Sequence, residues 1–363
     1  MKNIPSQYII PNYIKYFFIL ASVVLTCFVI IVARPILNPL LAAFIFAFLL
    51  RPLSALIEKA KIPRLFSTLI TILIVLLSIT AVSLFFSSQV ETIAADMDSL
   101  VTTFNELIDK VQRWTATQFG IAPHEQIIYL KSTLATILKS SSAFFRSTLS
   151  ATAGFFTSFF LFILALFFFL YYRTFFASFL YQVFRPENHA RVTKTLQKIE
   201  RIVGKYVLGL LLVICILAVF NIVGLLLLGI KHALFFGGLA AVLIIIPYVG
   251  VLIGSLLPIL FALATTDSLW YPLGVFALFV VGQFLEGNFI TPNIVGTQVS
   301  INPFAAIVGL LIAGMMLGVI GVIFALPMLA IIKVICDEVN SLKPIGYLLG
   351  NPTRGNRSVE VYL

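Results

Sequence analysis

Closely spaced polar residues interrupt an apolar stretch in the C-terminal third of the chain. Gln283 and Glu286 are three positions apart and therefore share one face of a helix, and Asn288 and Thr291 follow them. A carboxylate within a membrane span costs about 2.5–3.5 kcal/mol on insertion scales, which favours a functional role. Glu286 could bind a cation, carry a proton or hold a polar solute. The alternative is a carboxylate near the lipid headgroups that caps a helix or pairs with a lysine.

The composition indicates that the solvent of these residues is a lipid bilayer. Hydrophobic residues make up 61% of the 363 positions and charged residues 10%, whereas a soluble domain carries about 25% charged residues. The mean hydropathy is +1.10. The net charge of +10 comes from basic residues between apolar runs, a pattern typical of topology determinants that face anionic lipid. We therefore predict an all-α, polytopic membrane protein with no nucleic-acid partner.

Charge-free runs predict about eight membrane segments, because a backbone in lipid has to satisfy its hydrogen bonds within a helix. These runs cover residues 16–33, 35–50, 66–88, 147–172, 206–230, 232–266, 268–285 and 287–332. Lysine and arginine concentrate in 51–65 and 173–205, which predicts that both regions and both termini are cytoplasmic.

The predicted organisation has six parts. They are N-terminal membrane segments (1–88), extracytoplasmic amphipathic helices (89–146), a span (147–172), a cytoplasmic amphipathic helix (173–205), a transport core (206–336) and a cytoplasmic tail (337–363). The outer helices form a small domain whose apolar face either packs on its own neighbour or serves as a subunit interface or lid; helical periodicity does not choose between these.

Two apolar runs, 232–266 and 302–333, are too long for one straight span and are broken internally. The breaks contain Pro247, Tyr248 and Gly250 in the first run and Gly318 in the second. If each run is a helical hairpin, the two hairpins are inverted copies about the membrane plane, an arrangement that points to the substrate site of a transporter. The alternative is that proline and glycine merely kink two tilted spans.

The sequence around these breaks resembles the autoinducer-2 exporter family of bacterial membrane proteins. The resemblance rests on Ile246-Pro247-Tyr248-Val249-Gly250, on Gln283-x-x-Glu286-x-Asn288-x-x-x-Pro292-x-x-x-Gly296 and on Asn302-Pro303, and it extends from about residue 14 to residue 338. It implies secondary transport in the bacterial inner membrane by a homopentamer. Some members resemble exporters of the quorum-sensing signal autoinducer-2, and others are linked to exchange of sodium or lithium for protons. Leu210, Gly287 and Asn293 depart from residues that the family often has.

The leading hypothesis is a secondary transporter that exports a small polar organic solute such as autoinducer-2. The predicted binding residues are Gln283, Glu286, Asn288, Pro292 and the hairpin residues Pro247, Tyr248, Gly250 and Gly318. The alternatives are a sodium (lithium)/proton antiporter and a structural membrane scaffold. We expect no enzyme activity, cofactor or metal site: His124-Glu125 begins like a metalloprotease helix, but Ile128 stands where the second zinc ligand would be.

Overall fold

The computed structural model describes residues 11–89, 152–247, 249–266, 268–294 and 301–351. Within these ranges all regular secondary structure is helical, and turns or short loops join the helices. The one β-type contact among the described residues is an isolated antiparallel bridge between Ile301 and Gly350. Six of the described helices are long and apolar enough to cross a membrane, and three shorter apolar helices accompany them. The chain is therefore an all-α, polytopic membrane protein. The predicted outer helices, from residue 90 to residue 146, lie outside the described residues.

The N-terminal part of the described chain forms two long helices and a broken third one. They are α1 (Asn12–Lys59), α2 (Arg64–Gln89), α3 (Thr152–Tyr171) and α4 (Arg173–Val183). The expectation of separate elements at 16–33 and 35–50 is wrong, because α1 runs through both as one helix of 48 residues. Only Arg34 separates the two runs, and a membrane helix tolerates a proline such as Pro35 without ending.

The C-terminal part contains the longest membrane helix after α1 and two pairs of shorter helices. Its elements are α5 (His189–Leu227), α6 (Ala233–Leu243), α7 (Val249–Thr265), α8 (Trp270–Leu285), α9 (Thr291–Ile294), α10 (Pro303–Leu317), α11 (Val319–Glu338) and α12 (Lys343–Leu349). A 3₁₀ turn at Pro186–Asn188 precedes α5. The basic segment from His189 onward therefore continues into the membrane span as one unbroken helix.

Helices α6 and α7 run antiparallel and form what we call the first hairpin. The rings of Phe236 and Phe261, 25 positions apart in the chain, have centroids 5.0 Å apart. At the opposite end, a Cβ built on Gly250 would lie 1.7 Å from the carbonyl oxygen of Leu243. The two helices thus pack along their whole length, and glycine at position 250 is what permits their contact at the tip.

Helices α10 and α11 form the second hairpin in the same way. A Cβ on Gly309 would lie 2.3 Å from Leu329, and one on Gly321 would lie 2.0 Å from the carbonyl oxygen of Ala313. Gly318 connects the two helices with φ 67° and ψ −146°, a backbone conformation that is essentially restricted to glycine.

The antiparallel packing of α5 and α8 sets the register of the region that carries Glu286. A Cβ on Gly274 would meet Leu228, and one on Gly224 would meet Leu278. Each successive turn of α8 therefore lies opposite an earlier turn of α5. The C-terminal end of α8 lies beside Leu217 and Asn221, in the last third of α5.

Candidate functional site

A narrow cleft lies where α5, the first hairpin and α8 meet. Its lining residues are Leu217, Asn221, Ala240, Ile244, Val251, Phe279, Gly282, Gln283 and Glu286. Most of these side chains are apolar, and the polar ones come from α5 and from the C-terminal end of α8. A few convergent polar groups in an apolar cleft are the usual composition of a small-molecule site. The cleft has a volume of about 20 Å³, so it has to widen before a solute can enter.

The carboxylate of Glu286 is fixed from both sides by uncharged donors. The Nε2 of Gln283 donates to its Oε2 at 2.8 Å, and the hydroxyl of Thr291 donates to its Oε1. A π-helical turn over Glu286–Ile290 separates α8 from α9, and the backbone N–H of Thr291 donates to the carbonyl of Glu286. This turn brings Thr291 back over Glu286; π-turns of this kind are frequent at functional sites.

Asn221 is the polar residue that sequence reasoning missed. It lies on α5, is 4% exposed and lines the cleft. A Cβ on Gly282 would lie 3.6 Å from the Asn221 Oδ1 and 3.0 Å from Phe220. Glycine at position 282 thus lets α8 approach α5 closely enough to place this amide one turn away from Glu286. Within the described residues, no hydrogen-bond partner satisfies the Asn221 side chain, so its polar atoms remain available to a ligand.

The tip of the first hairpin shapes one wall of the cleft. The N–H of Val249 donates to the carbonyl of Pro247 at 2.7 Å, and the N–H of Gly250 donates to the carbonyl of Ile246 at 2.9 Å. This tight turn ends α6 and starts α7, so that Ile244 and Val251 on either side of it face the cleft.

Comparison with known proteins identifies the family of the chain. The sequence profile described as AI-2E family transporter matches residues 19–341. The chain belongs to the AI-2E transporter family. The matched segment includes the cleft and both hairpins.

Several relatives of this AI-2E family member carry names that class them as transport proteins. YueF of Bacillus subtilis is 27% identical over 307 residues, which cover 81% of this chain and 82% of the relative. MT0215 of Mycobacterium tuberculosis is 24% identical over 320 residues, covering 87% and 86%. A protein of Borreliella burgdorferi is 31% identical over 174 residues, covering 47% of each chain.

The structure brings together only part of the residue set that the sequence predicts for this AI-2E transporter. Gln283 and Glu286 lie in the cleft, and Pro247 and Gly250 form the turn beside it. Tyr248 lies outside the described residues.

The other predicted residues lie elsewhere. The amide of Asn288 donates to the carbonyl of Phe284 at 2.9 Å, which is a bond within its own helix. Pro292 lies in α9, just after the π-turn. Gly318 is at the tip of the second hairpin, where the side chain of Asn38 on α1 donates to the carbonyl of Leu317 at 3.1 Å. Neither Asn288, Pro292 nor Gly318 lines the cleft.

Proposed function

We propose that this AI-2E family member is a secondary transporter that exports a small, hydroxyl-rich polar solute such as autoinducer-2 through the cleft at Glu286. The observation that carries the proposal is the convergence of Asn221, Gln283 and Glu286 in an otherwise apolar cleft. One carboxylate and two amides offer both acceptors and donors, which is the set that a neutral solute with several hydroxyl groups can satisfy.

The lengths of the hairpin helices support a site inside the membrane. Helix α6 has 11 residues, about 16 Å at 1.5 Å per residue, and the hydrocarbon core is about 30 Å thick. Such a helix is too short to cross the bilayer straight, and under this proposal it reverses within the membrane. Broken helices that end near the midplane beside polar groups are the common construction of solute sites in secondary transporters.

The hydrogen bonds of Glu286 favour a solute over a proton or cation as the cargo. Both of its oxygens accept from neutral donors, and among the residues that line the cleft it is the acidic one. A hydroxyl-bearing solute can replace either donor without changing the charge of the site. The oxygens of Glu286 and Thr291 could instead coordinate sodium or lithium, which keeps the antiporter as the second candidate.

The two candidates separate in everted membrane vesicles that contain the full-length chain. Uptake of labelled autoinducer-2 reports export, and dequenching of a pH-sensitive dye after addition of sodium or lithium reports antiport. Under the proposal, wild type accumulates the solute without cation-driven dequenching, and Glu286→Gln loses the uptake at normal protein levels. Glu187→Gln, a change of an exposed carboxylate outside the cleft, keeps it.

Other outcomes of this experiment contradict the proposal. Cation-driven dequenching that disappears in Glu286→Gln would establish antiport instead. Solute uptake that is unchanged in Glu286→Gln would place the site elsewhere in the chain.

Assembly and orientation stay predictions from the resemblance and from the charge bias. They are a homopentamer in the bacterial inner membrane with both termini in the cytoplasm. Crosslinking in membranes that stops at a dimer would contradict the pentamer, and accessibility of tags at the two termini tests the orientation.

A further inference from the structure

A second, larger cavity lies about 25 Å along α5 from the cleft, as judged from the 17 residues between Glu200 and Leu217 at 1.5 Å each. It has a volume of about 580 Å³ and lies between α1, the α3–α4 junction, α5 and α11. This volume is within the range of small-molecule sites, roughly 300–1,000 Å³. It shares no lining residue with the cleft at Glu286, so the transported solute does not account for it.

The walls of this cavity have two chemically different ends. Phe44 and Phe48 line it from α1, and Arg51 follows on the same helix; Phe169 lines it from α3, and Arg173 follows at the start of α4. On both elements the aromatic rings thus lie one to two turns deeper in the apolar stretch than the arginine. The two arginines therefore lie where α1 and α3 reach the basic segments, and the rest of the lining is mostly apolar, including Phe176, Phe179 and Tyr181 on α4.

The cationic end carries more positive charge than its acidic partners neutralise. Arg51 pairs with Glu200, and Arg173 pairs with Glu58. Arg64 lies 3.8 Å from the same Glu58 carboxylate. Three arginines thus face two carboxylates. The charge bias of 51–65 and 173–205 predicts that this surface is the cytoplasmic one.

The arginines also have unused hydrogen-bond donors. The Nη1 of Arg173 is buried and has no hydrogen-bond partner among the described residues, although its Nη2 pairs with Glu58. The side chain of Arg51 is 46% exposed. Each guanidinium has five N–H donors in a planar fork that matches phosphate oxygens. An anionic group at the cavity mouth would therefore reach the half-exposed Arg51 directly and Arg173 after a side-chain shift that uncovers its Nη1, and each contact would add charge-assisted hydrogen bonds.

We infer that this cavity binds an anionic phospholipid, with the phosphate at Arg51 and Arg173 and one acyl chain against Phe44, Phe48 and Phe169. An amphiphile is the ligand that matches both ends, since a free anion would leave the aromatic walls bare and a neutral chain would leave the donors unused. Basic pockets between membrane helices at the cytoplasmic surface are known to take anionic headgroups. The bound lipid would connect α1, α4 and α5, the helices that carry the ion pairs.

The test measures displacement of a fluorescent phosphatidylglycerol from the purified full-length protein in an uncharged detergent. The competitors are unlabelled phosphatidylglycerol, phosphatidylcholine with the same chains, and inorganic phosphate. We expect phosphatidylglycerol to compete at a severalfold lower concentration than phosphatidylcholine. Both lipids carry the phosphate, but the choline of phosphatidylcholine adds a cation that the excess arginine charge repels. Inorganic phosphate at the same concentrations should not compete.

Two variants and a control assign the binding to this cavity. Arg173→Gln removes the charge, and Ala177→Trp fills the cavity from α4 while leaving every charge in place. Each should weaken phosphatidylglycerol binding at least about tenfold, by loss of hydrogen bonds to a charged group or by exclusion. Lys194→Gln removes an exposed cation on α5 that does not line the cavity, and it should leave binding within twofold of wild type.

Several outcomes would overturn the inference. Equal competition by the two phospholipids would show that the site does not select an anionic headgroup, and competition by inorganic phosphate would show a free-anion site. Absence of saturable lipid binding would mean that something else, such as a neighbouring copy of the chain, closes the cavity. If Arg173→Gln does not fold, unchanged binding in Ala177→Trp alone would exclude the cavity.

Discussion

The two hairpins are built alike but lie in different surroundings. In each, glycines allow two helices to pack along their length, and a tight turn at the tip reverses the chain. The tip of the first hairpin borders the polar cleft that holds Glu286 and Asn221. The tip of the second is bound by Asn38 of α1. Under the proposed function, one copy of this repeated element borders the solute site, whereas the other copy contacts α1 as a structural anchor.

The largest loss of stability and of solute flux is expected when a methyl group is added at the tip of the first hairpin. In Gly250→Ala the new Cβ would meet the Leu243 carbonyl oxygen at 1.7 Å, so α6 and α7 have to separate. Overpacking of this kind costs about 1–3 kcal/mol, and the displaced wall should abolish most solute flux. Thermal unfolding in detergent and vesicle flux measure the two effects.

Gly238→Ala is the matched control for that change. It lies on α6 in the same hairpin, and its Cβ would have only an ordinary contact with Phe86 at 3.6 Å. Stability and flux should stay near wild type. A loss as large as that of Gly250→Ala would show that the hairpin tolerates no methyl group anywhere, and the tip would have no special role.

The second-largest effect is expected from Asn221 near the first tip, and it distinguishes this residue from Asn38 at the second tip. Asn221→Leu removes the buried amide of the cleft. We expect solute flux at low solute concentration to fall about tenfold, because one hydrogen bond to an uncharged partner contributes up to roughly 1.5 kcal/mol. Stability should hold or rise, because the amide has no partner to lose within the described residues. An Asn221→Leu protein that unfolds at a lower temperature than wild type but transports normally would contradict this role for Asn221.

A strained turn distinguishes the second tip from the first. Gly318→Ala meets no atom within 4 Å but has to adopt φ 67°, which costs about 1–3 kcal/mol for a residue with a side chain. The thermal midpoint should fall while the remaining folded protein transports normally. Reduced flux at unchanged stability would instead place the second tip in the transport path.

Asn38→Leu should have the smallest effect. It removes the hydrogen bond to the Leu317 carbonyl, and hydrogen bonds between membrane helices contribute on average about 0.6 kcal/mol. A small loss of stability with normal flux is the opposite of the result expected for Asn221→Leu. If both asparagine variants lose flux equally, the two hairpin tips share one function.

Local sequence patterns predict the elements of this fold well. Composition predicts an all-α membrane protein, and the spacing of Gln283 and Glu286 predicts that they share one helix face, where the structure joins them by a hydrogen bond. The proline and glycine breaks mark the turns between α6 and α7 and between α10 and α11. These features depend on residues within one or two turns of each other, so the sequence alone carries the information.

Features that depend on packing between distant segments were not predictable in this way. Asn221 is one amide in an apolar run, and only the register between α5 and α8 places it beside Gly282. A lone polar residue within a membrane span is the signal that could have found it. The continuity of α1 through Pro35 and the contact of Asn38 with the second tip likewise depend on neighbours far along the chain.

Solute protection of single cysteines at the two tips tests the central claim most directly. The native Cys27, Cys215 and Cys336 are first replaced, and Val251→Cys or Val319→Cys is then introduced; each valine lies in the first turn after its hairpin tip. The solute that the vesicle assay shows to be transported is added at saturation, and alkylation by a membrane-permeant reagent is timed. The account predicts that solute slows the reaction at position 251 severalfold and leaves position 319 unchanged. Equal protection at both positions, or protection at 319 alone, would contradict the assignment of the solute site to the first hairpin.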